Sequence, residues 1–184
     1  NNIIKRENMK SKTSQIVLIV GIIIVIIALF IYSQKKPAGV SKTGEVKVGI
    51  ILGFTGPIES LTPAMAASAE LAFKEVSDSG SFLGGAKITV LRADSTCVDS
   101  AAATTAAEGL ISQDIAAIMG ADCSGVTGAI AKNVAVPNGV VMISPSATSP
   151  GLTTLDDKGL FFRTAPSDAR GGQILADITK DRGI

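Results

Sequence analysis

The chain contains no histidine. A Ser-His-Asp or Cys-His arrangement therefore cannot be assembled from it, and the commonest nitrogen ligand for a metal is missing. Its two cysteines, Cys97 and Cys123, stand far outside a Cys-x-x-Cys or metal-ligand spacing, which argues against a zinc site and a redox pair. Tryptophan is absent and tyrosine occurs once, so a base-stacking platform is not expected. No basic stripe tracks a phosphate backbone, and nucleic acid is not an expected partner. No Gly-x-Gly-x-x-Gly follows the first apolar run, and Gly53, Gly56 and the later Gly84-Gly85 do not make a phosphate cradle. The adjacent carboxylates Asp156-Asp157 lie in a polar stretch that reads as a solvated turn. No catalytic residue, metal or cofactor is expected, and binding without chemistry is the better account.

What is present divides into two parts. Residues 1–36 carry six Lys/Arg against one acid, net +5, whereas residues 37–184 carry eleven against fifteen, net −4. Ile16 to Tyr32 is an unbroken uncharged run of mostly Ile, Val and Leu, preceded by Lys5, Arg6, Lys10 and Lys12. A basic flank before such a run is expected on the cytoplasmic side of a membrane-directed segment, so the remainder is expected to be exported. The run is longer than the roughly 7–15 residues of a usual signal-peptide core and sits near the lower limit of about 17 for a spanning helix. Both a cleaved signal and an uncleaved anchor fit it. No Cys follows it directly to take a lipid, and Met9 reads as the initiator of the basic stretch. The expected organisation is a basic segment over 1–15, a signal peptide or anchor over 16–32, a polar linker over 33–44 and a folded region over 45–184.

From Glu45 the pattern alternates strand and helix, which predicts a three-layer α/β domain with a parallel sheet, preceded by the N-terminal hydrophobic helix. Strands are expected at Glu45–Leu52, Lys87–Ala93, Ile115–Met119, Gly139–Ile143 and Leu160–Arg163. Thr62 is placed to cap a helix with Pro63 in its first turn, ending before Gly80. Asp99 caps the next, a third begins near Ser124 and ends before Pro137, and Ser167 caps a last one. About 140 residues suffice for one such core. The final Asp-Arg-Gly-Ile ordinarily leads into another strand, so the chain reads as a fragment.

Each strand exits into small polar residues. These exits are Gly53-Phe54-Thr55-Gly56-Pro57, Asp94-Ser95-Thr96-Cys97, Asp122-Cys123-Ser124-Gly125 and Ser144-Pro145-Ser146-Ala147-Thr148-Ser149-Pro150. Parallel strands put their carboxyl ends on one edge, where open α/β sheets bind ligands, so the four exits together predict a small-ligand site. Turn formers alone would also account for any single exit.

The order of apolar strand, Thr-Gly-Pro, Ala-rich helix, Asp-x-x-Cys, apolar strand, Cys-Ser and Ile-Ser-Pro-Ser-Ala-Thr resembles the N-terminal lobe of the periplasmic leucine/isoleucine/valine-binding proteins. The resemblance covers residues 45–184 and implies a type I periplasmic binding fold truncated before its second lobe. It implies an extracytoplasmic protein that captures an amino acid, branched-chain and aliphatic, for the permease of an ABC importer. A membrane-anchored sensing ectodomain and a receptor for short-chain amides or urea are the alternatives.

The resemblance also implies the site. Ser124 matches a carboxylate-binding serine, and its place at a helix start equally suits simple capping. Thr148 matches a threonine that meets both the α-carboxylate and the α-ammonium, and Ser146 a position that offers its carbonyl to the ammonium. Cys123 and Ala147 flank these, and Leu61 falls near an apolar contact position, although Thr62 stands where relatives carry glycine. The acid that neutralises the ammonium is expected on the second lobe. A bridge between the loops of Cys97 and Cys123 is likewise implied, with two free thiols as the alternative. Replacing Ser124 and Thr148 by alanine is expected to remove binding with little change in melting.

Overall fold

The structure, a computed structural model, describes residues 44–184. The basic segment, the apolar run and nearly all of the linker lie outside the described residues. Among the described residues no helix is long and apolar enough to cross a membrane.

Five strands form one sheet in the order β2-β1-β3-β4-β5, every neighbouring pair parallel. They are β1 (Glu45–Leu52), β2 (Lys87–Asp94), β3 (Ala117–Gly120), β4 (Val141–Ser144) and β5 (Phe161–Arg163). The helices are α1 (Thr62–Asp78), α2 (Ser100–Ile111), α3 (Ser124–Ile130) and α4 (Asp168–Asp181).

β1 lies inside the sheet between β2 and β3 and reads as a nearly continuous apolar run because both its faces are covered. Ile50 and Leu52 pack with Ala66 and Phe73 of α1, while Ile51 joins Ala103, Ala107 and Leu110 of α2 and Val126 and Ile130 of α3 on the other face. The third layer is incomplete beyond β3. Met142 and Phe161 are buried towards α2 and α3, but their neighbours Ile143 and Phe162 remain 43% and 52% exposed. No residue of α4 is buried, so α4 does not close that face.

Three expected strands begin too early, the last by one residue, at Leu160 against Phe161. Ile115 and Val140 are buried at 2% yet precede the ladders that start at Ala117 and Val141, because burial rather than strand pairing makes the sequence apolar there. Thr62 does not cap its helix. Leu61 holds the N-cap position without a side-chain bond, and the buried Thr62 hydroxyl donates instead to the Gly53 carbonyl at 3.1 Å. Asp99 and Ser167 do cap, accepting from the amides of Ala101 and Ala102 and from that of Ala169 respectively. The helix expected from Ser124 to Pro137 is α3 followed by a wider π-turn over Ala131–Ala135.

Candidate functional site

The chain runs from β1 outward to β2 and then returns to β3 on the other side of β1, so the order switches between β1 and β3. In open α/β sheets that is where a crevice opens beyond the carboxyl ends. Gly120 lets β3 turn out here: its φ is +129°, and a Cβ would lie 1.9 Å from the Ile51 carbonyl oxygen.

Hydrogen bonds join all five exits along this edge. Asp94 ties β2 to β1, taking the Thr55 hydroxyl at 2.6 Å, the Thr55 amide at 3.3 Å and the Thr96 amide at 2.8 Å. Gly56, at φ +96°, passes so close that a Cβ would sit 2.5 Å from the Thr96 carbonyl oxygen. Asp122 ties three exits. Buried at 4%, its carboxylate accepts from the Gly53 amide at 2.8 Å, the Cys123 amide at 2.9 Å and the Ser95 hydroxyl at 3.4 Å.

Burial pushes the Asp94 carboxyl up, but the bonds from the Thr55 hydroxyl and the Thr96 and Thr55 amides outweigh it and hold the group below the usual aspartate range. A lowered folded value means that this stabilisation is complete above the unfolded value and fades as pH falls through the folded one. Acidification through that lowered value is therefore expected to loosen the Thr55 and Thr96 turns. Amide exchange at those two residues, measured against pH, checks it; unchanged protection would contradict it.

Cys97 and Cys123 form a disulfide with Cα atoms 5.2 Å apart, joining the β2 exit to the residue before Ser124. Closing a loop of this length stabilises by about 3–4 kcal/mol in the chain-entropy description. Replacing both cysteines by serine is expected to lower unfolding stability by about that amount, read from denaturant melts.

Between β3 and β4 the contacts change character. The half-buried Ser124, first residue of α3, accepts from the amides of Thr148 and Ser149, each at 3.1 Å. A hydroxyl has two acceptor positions and one proton. Both acceptor positions of Ser124 are thus occupied by the loop, and what it has left to give is its proton. The expected alternative of simple helix capping is not what its oxygen does.

The Thr148 hydroxyl donates to the Asp168 carboxylate at 2.9 Å, and the Asp168 amide donates back to the Thr148 carbonyl at 3.0 Å. With its proton and its amide both engaged, Thr148 offers lone pairs. Ser146 is exposed; its hydroxyl donates to the Asp122 carbonyl at 3.0 Å, and among the described residues its own carbonyl receives no hydrogen bond.

The six expected residues are not equally placed. Cys123, Ser124, Ser146 and Thr148 come together at the β3 and β4 exits. Ala147 is 1% exposed, with its amide on the Ser144 hydroxyl and its carbonyl on Arg163, so it packs and offers no free polar group. Leu61 stands at the start of α1 on the same edge, 61% exposed. Sequence reasoning assigned no role to Asp122, Arg163 or Asp168. Arg163, at the end of β5, donates to the carbonyls of Ala147 at 3.3 Å and Ser149 at 2.9 Å and to the Thr153 hydroxyl at 2.6 Å. The only available signal was position: Asp122 and Arg163 stand at or just beyond a strand end, and Asp168 opens α4.

Residues 64–183 match the family described as the receptor family ligand binding region. Leu/Ile/Val-binding protein homolog 1 of Brucella abortus is 34% identical over 152 residues, covering 79% of this chain and 39% of the relative. The leucine-, isoleucine-, valine-, threonine-, and alanine-binding protein of Pseudomonas aeruginosa is 29% identical, covering 76% and 37%. Among solved structures, the branched-chain amino acid transporter substrate binding protein LivJ of Streptococcus pneumoniae, in complex with isoleucine, matches with a TM-score of 0.60 at 30% identity, over 67% of this chain and 34% of that one. An ABC transporter substrate-binding protein of Desulfitobacterium hafniense complexed with Leu matches with a TM-score of 0.62 at 29% identity, over 76% and 39%. The chain thus spans less than two fifths of the length of these relatives.

Proposed function

The chain belongs to the receptor family ligand binding region, and from that membership we propose that it forms the ligand-gripping lobe of an extracytoplasmic solute-binding protein that captures an amino acid for an ABC importer. The observation that carries this is the polarity of one short stretch of edge. Ser124 has only a proton to give, whereas Thr148 and the Ser146 carbonyl have only lone pairs. A donor beside two acceptors suits a zwitterion: carboxylate on Ser124, ammonium on Thr148 and Ser146.

The expectation that Thr148 would meet both ends is thereby narrowed. With its proton on Asp168 it suits the ammonium alone. Leu61 and a second lobe would supply the apolar wall, and closure of two lobes would bury the ligand. The names of the relatives favour a branched-chain aliphatic amino acid, and the permease of an importer as the partner that receives it.

The test is a thermal-shift screen of the full-length protein against amino acids, small amides and carboxylates, with hits confirmed by calorimetry. Stabilisation by leucine, isoleucine or valine is the expected result. Response only to amides or urea, or none to any amino acid from a well-folded protein, would overturn it.

A further inference from the structure

We propose that Arg163, whose guanidinium hydrogen-bonds to the loop that meets Ser124, is a positioning residue that makes the site prefer a carboxylate. This rests on the amino-acid reading and adds to it the source of the positive charge. Arg163 is half-buried, and among the described residues it takes part in no ion pair. A guanidinium is always charged, so the β4 exit is backed by a cation that has no carboxylate within salt-bridge distance among the described residues.

Its bonds define a line of polarisation. Nη1 donates to the Ala147 carbonyl, the amide at the other end of that same peptide unit, Thr148 N–H, donates to Ser124 Oγ, and Ser124 has its proton left to give. A charge placed on the carbonyl end of a peptide strengthens the donor at its amide end, and successive hydrogen bonds polarise one another. The Ser124 hydroxyl is in this way made a better donor to an anion. The second carbonyl, Ser149, precedes Pro150 and has no amide beyond it, so that bond fixes the loop and relays nothing.

Positioning and charge separate experimentally. In the full-length protein, Arg163→Gln keeps a neutral donor to the loop and Arg163→Lys keeps a charged one. L-leucine and L-leucinamide, in which a neutral amide replaces the carboxylate, are measured by calorimetry. Arg163→Gln is expected to weaken leucine about tenfold or more and leucinamide by no more than about threefold, whereas Arg163→Lys holds leucine within about threefold of the parent protein.

Equal losses for both ligands, or equal loss of leucine in both variants, would show that Arg163 only holds the loop and would overturn the inference. A parent protein that binds neither compound would instead overturn the amino-acid reading on which it rests. Should Arg163→Gln fail to fold, leucine affinity in Arg163→Lys decides alone, a loss of tenfold or more standing against the proposal.

Discussion

In the full-length protein, Ser124→Ala combined with Thr148→Ala is expected to weaken an aliphatic amino acid by at least about a hundredfold, since each substitution removes a hydrogen bond to a charged end of the ligand. The structure revises the accompanying expectation of unchanged melting. Ser124 Oγ is the common acceptor for the amides of Thr148 and Ser149, and alanine leaves both without a partner. That costs about 1–3 kcal/mol, so the ligand-free protein should melt earlier by a few degrees. Ser146→Ala provides the contrast. Its hydroxyl binds the Asp122 carbonyl and only its own backbone carbonyl is offered outward, so affinity should change by less than about threefold. Calorimetry and melting of the three proteins decide. Retained affinity in the double variant would refute the site assignment, and retained melting would refute the bonds to the loop.

The layout of the lobe was legible because its strands are short apolar runs bounded by polar turns and helix-capping residues. Glu45–Leu52 matches its expected bounds residue for residue, and Asp99 and Ser167 announce their helices by side chains that cap them. Thr62 misled because the pattern Thr-Pro before an apolar helix is the same whether the hydroxyl caps the helix or reaches back to a strand exit. The tertiary choice, Gly53, lies nine residues earlier and leaves no local mark.

The site divides in a similar way. Ser124, Ser146 and Thr148 are small polar residues at strand exits and were readable from the pattern and the resemblance together. The residues that set their polarity were not. Arg163 and Asp168 reach Thr148 or its flanking carbonyls across separations of 14 to 20 residues, which no periodicity encodes. Spacing could suggest which hydroxyls share the edge. Only the geometry says which proton or lone pair each has left.

Asp122→Asn is expected to damage the lobe more than its near-identical shape suggests, lowering unfolding stability by about 2–4 kcal/mol. The reason is that both carboxylate oxygens face donors. Oδ2 takes the Gly53 amide, and Oδ1 takes the Cys123 amide and the Ser95 hydroxyl. An asparagine must put its NH2 against one of the two backbone amides in either orientation. Neither amide can turn away, since Gly53 is held by the helix start through Thr62 and Cys123 by the disulfide. One buried donor is then opposed rather than merely unpaired.

The expected consequence reaches function, because Asp122 also holds Ser146 through its carbonyl and stands two residues before Ser124. Denaturant melts should show the loss with an unchanged m-value, and ligand affinity should fall with it although no ligand contact has been altered. An Asp122→Asn protein as stable as its parent would mean that the three exits are held by the sheet and the disulfide alone. The carboxylate would then be a passenger in the crevice, and the rigidity of the Ser124 loop would have to be sought in Arg163.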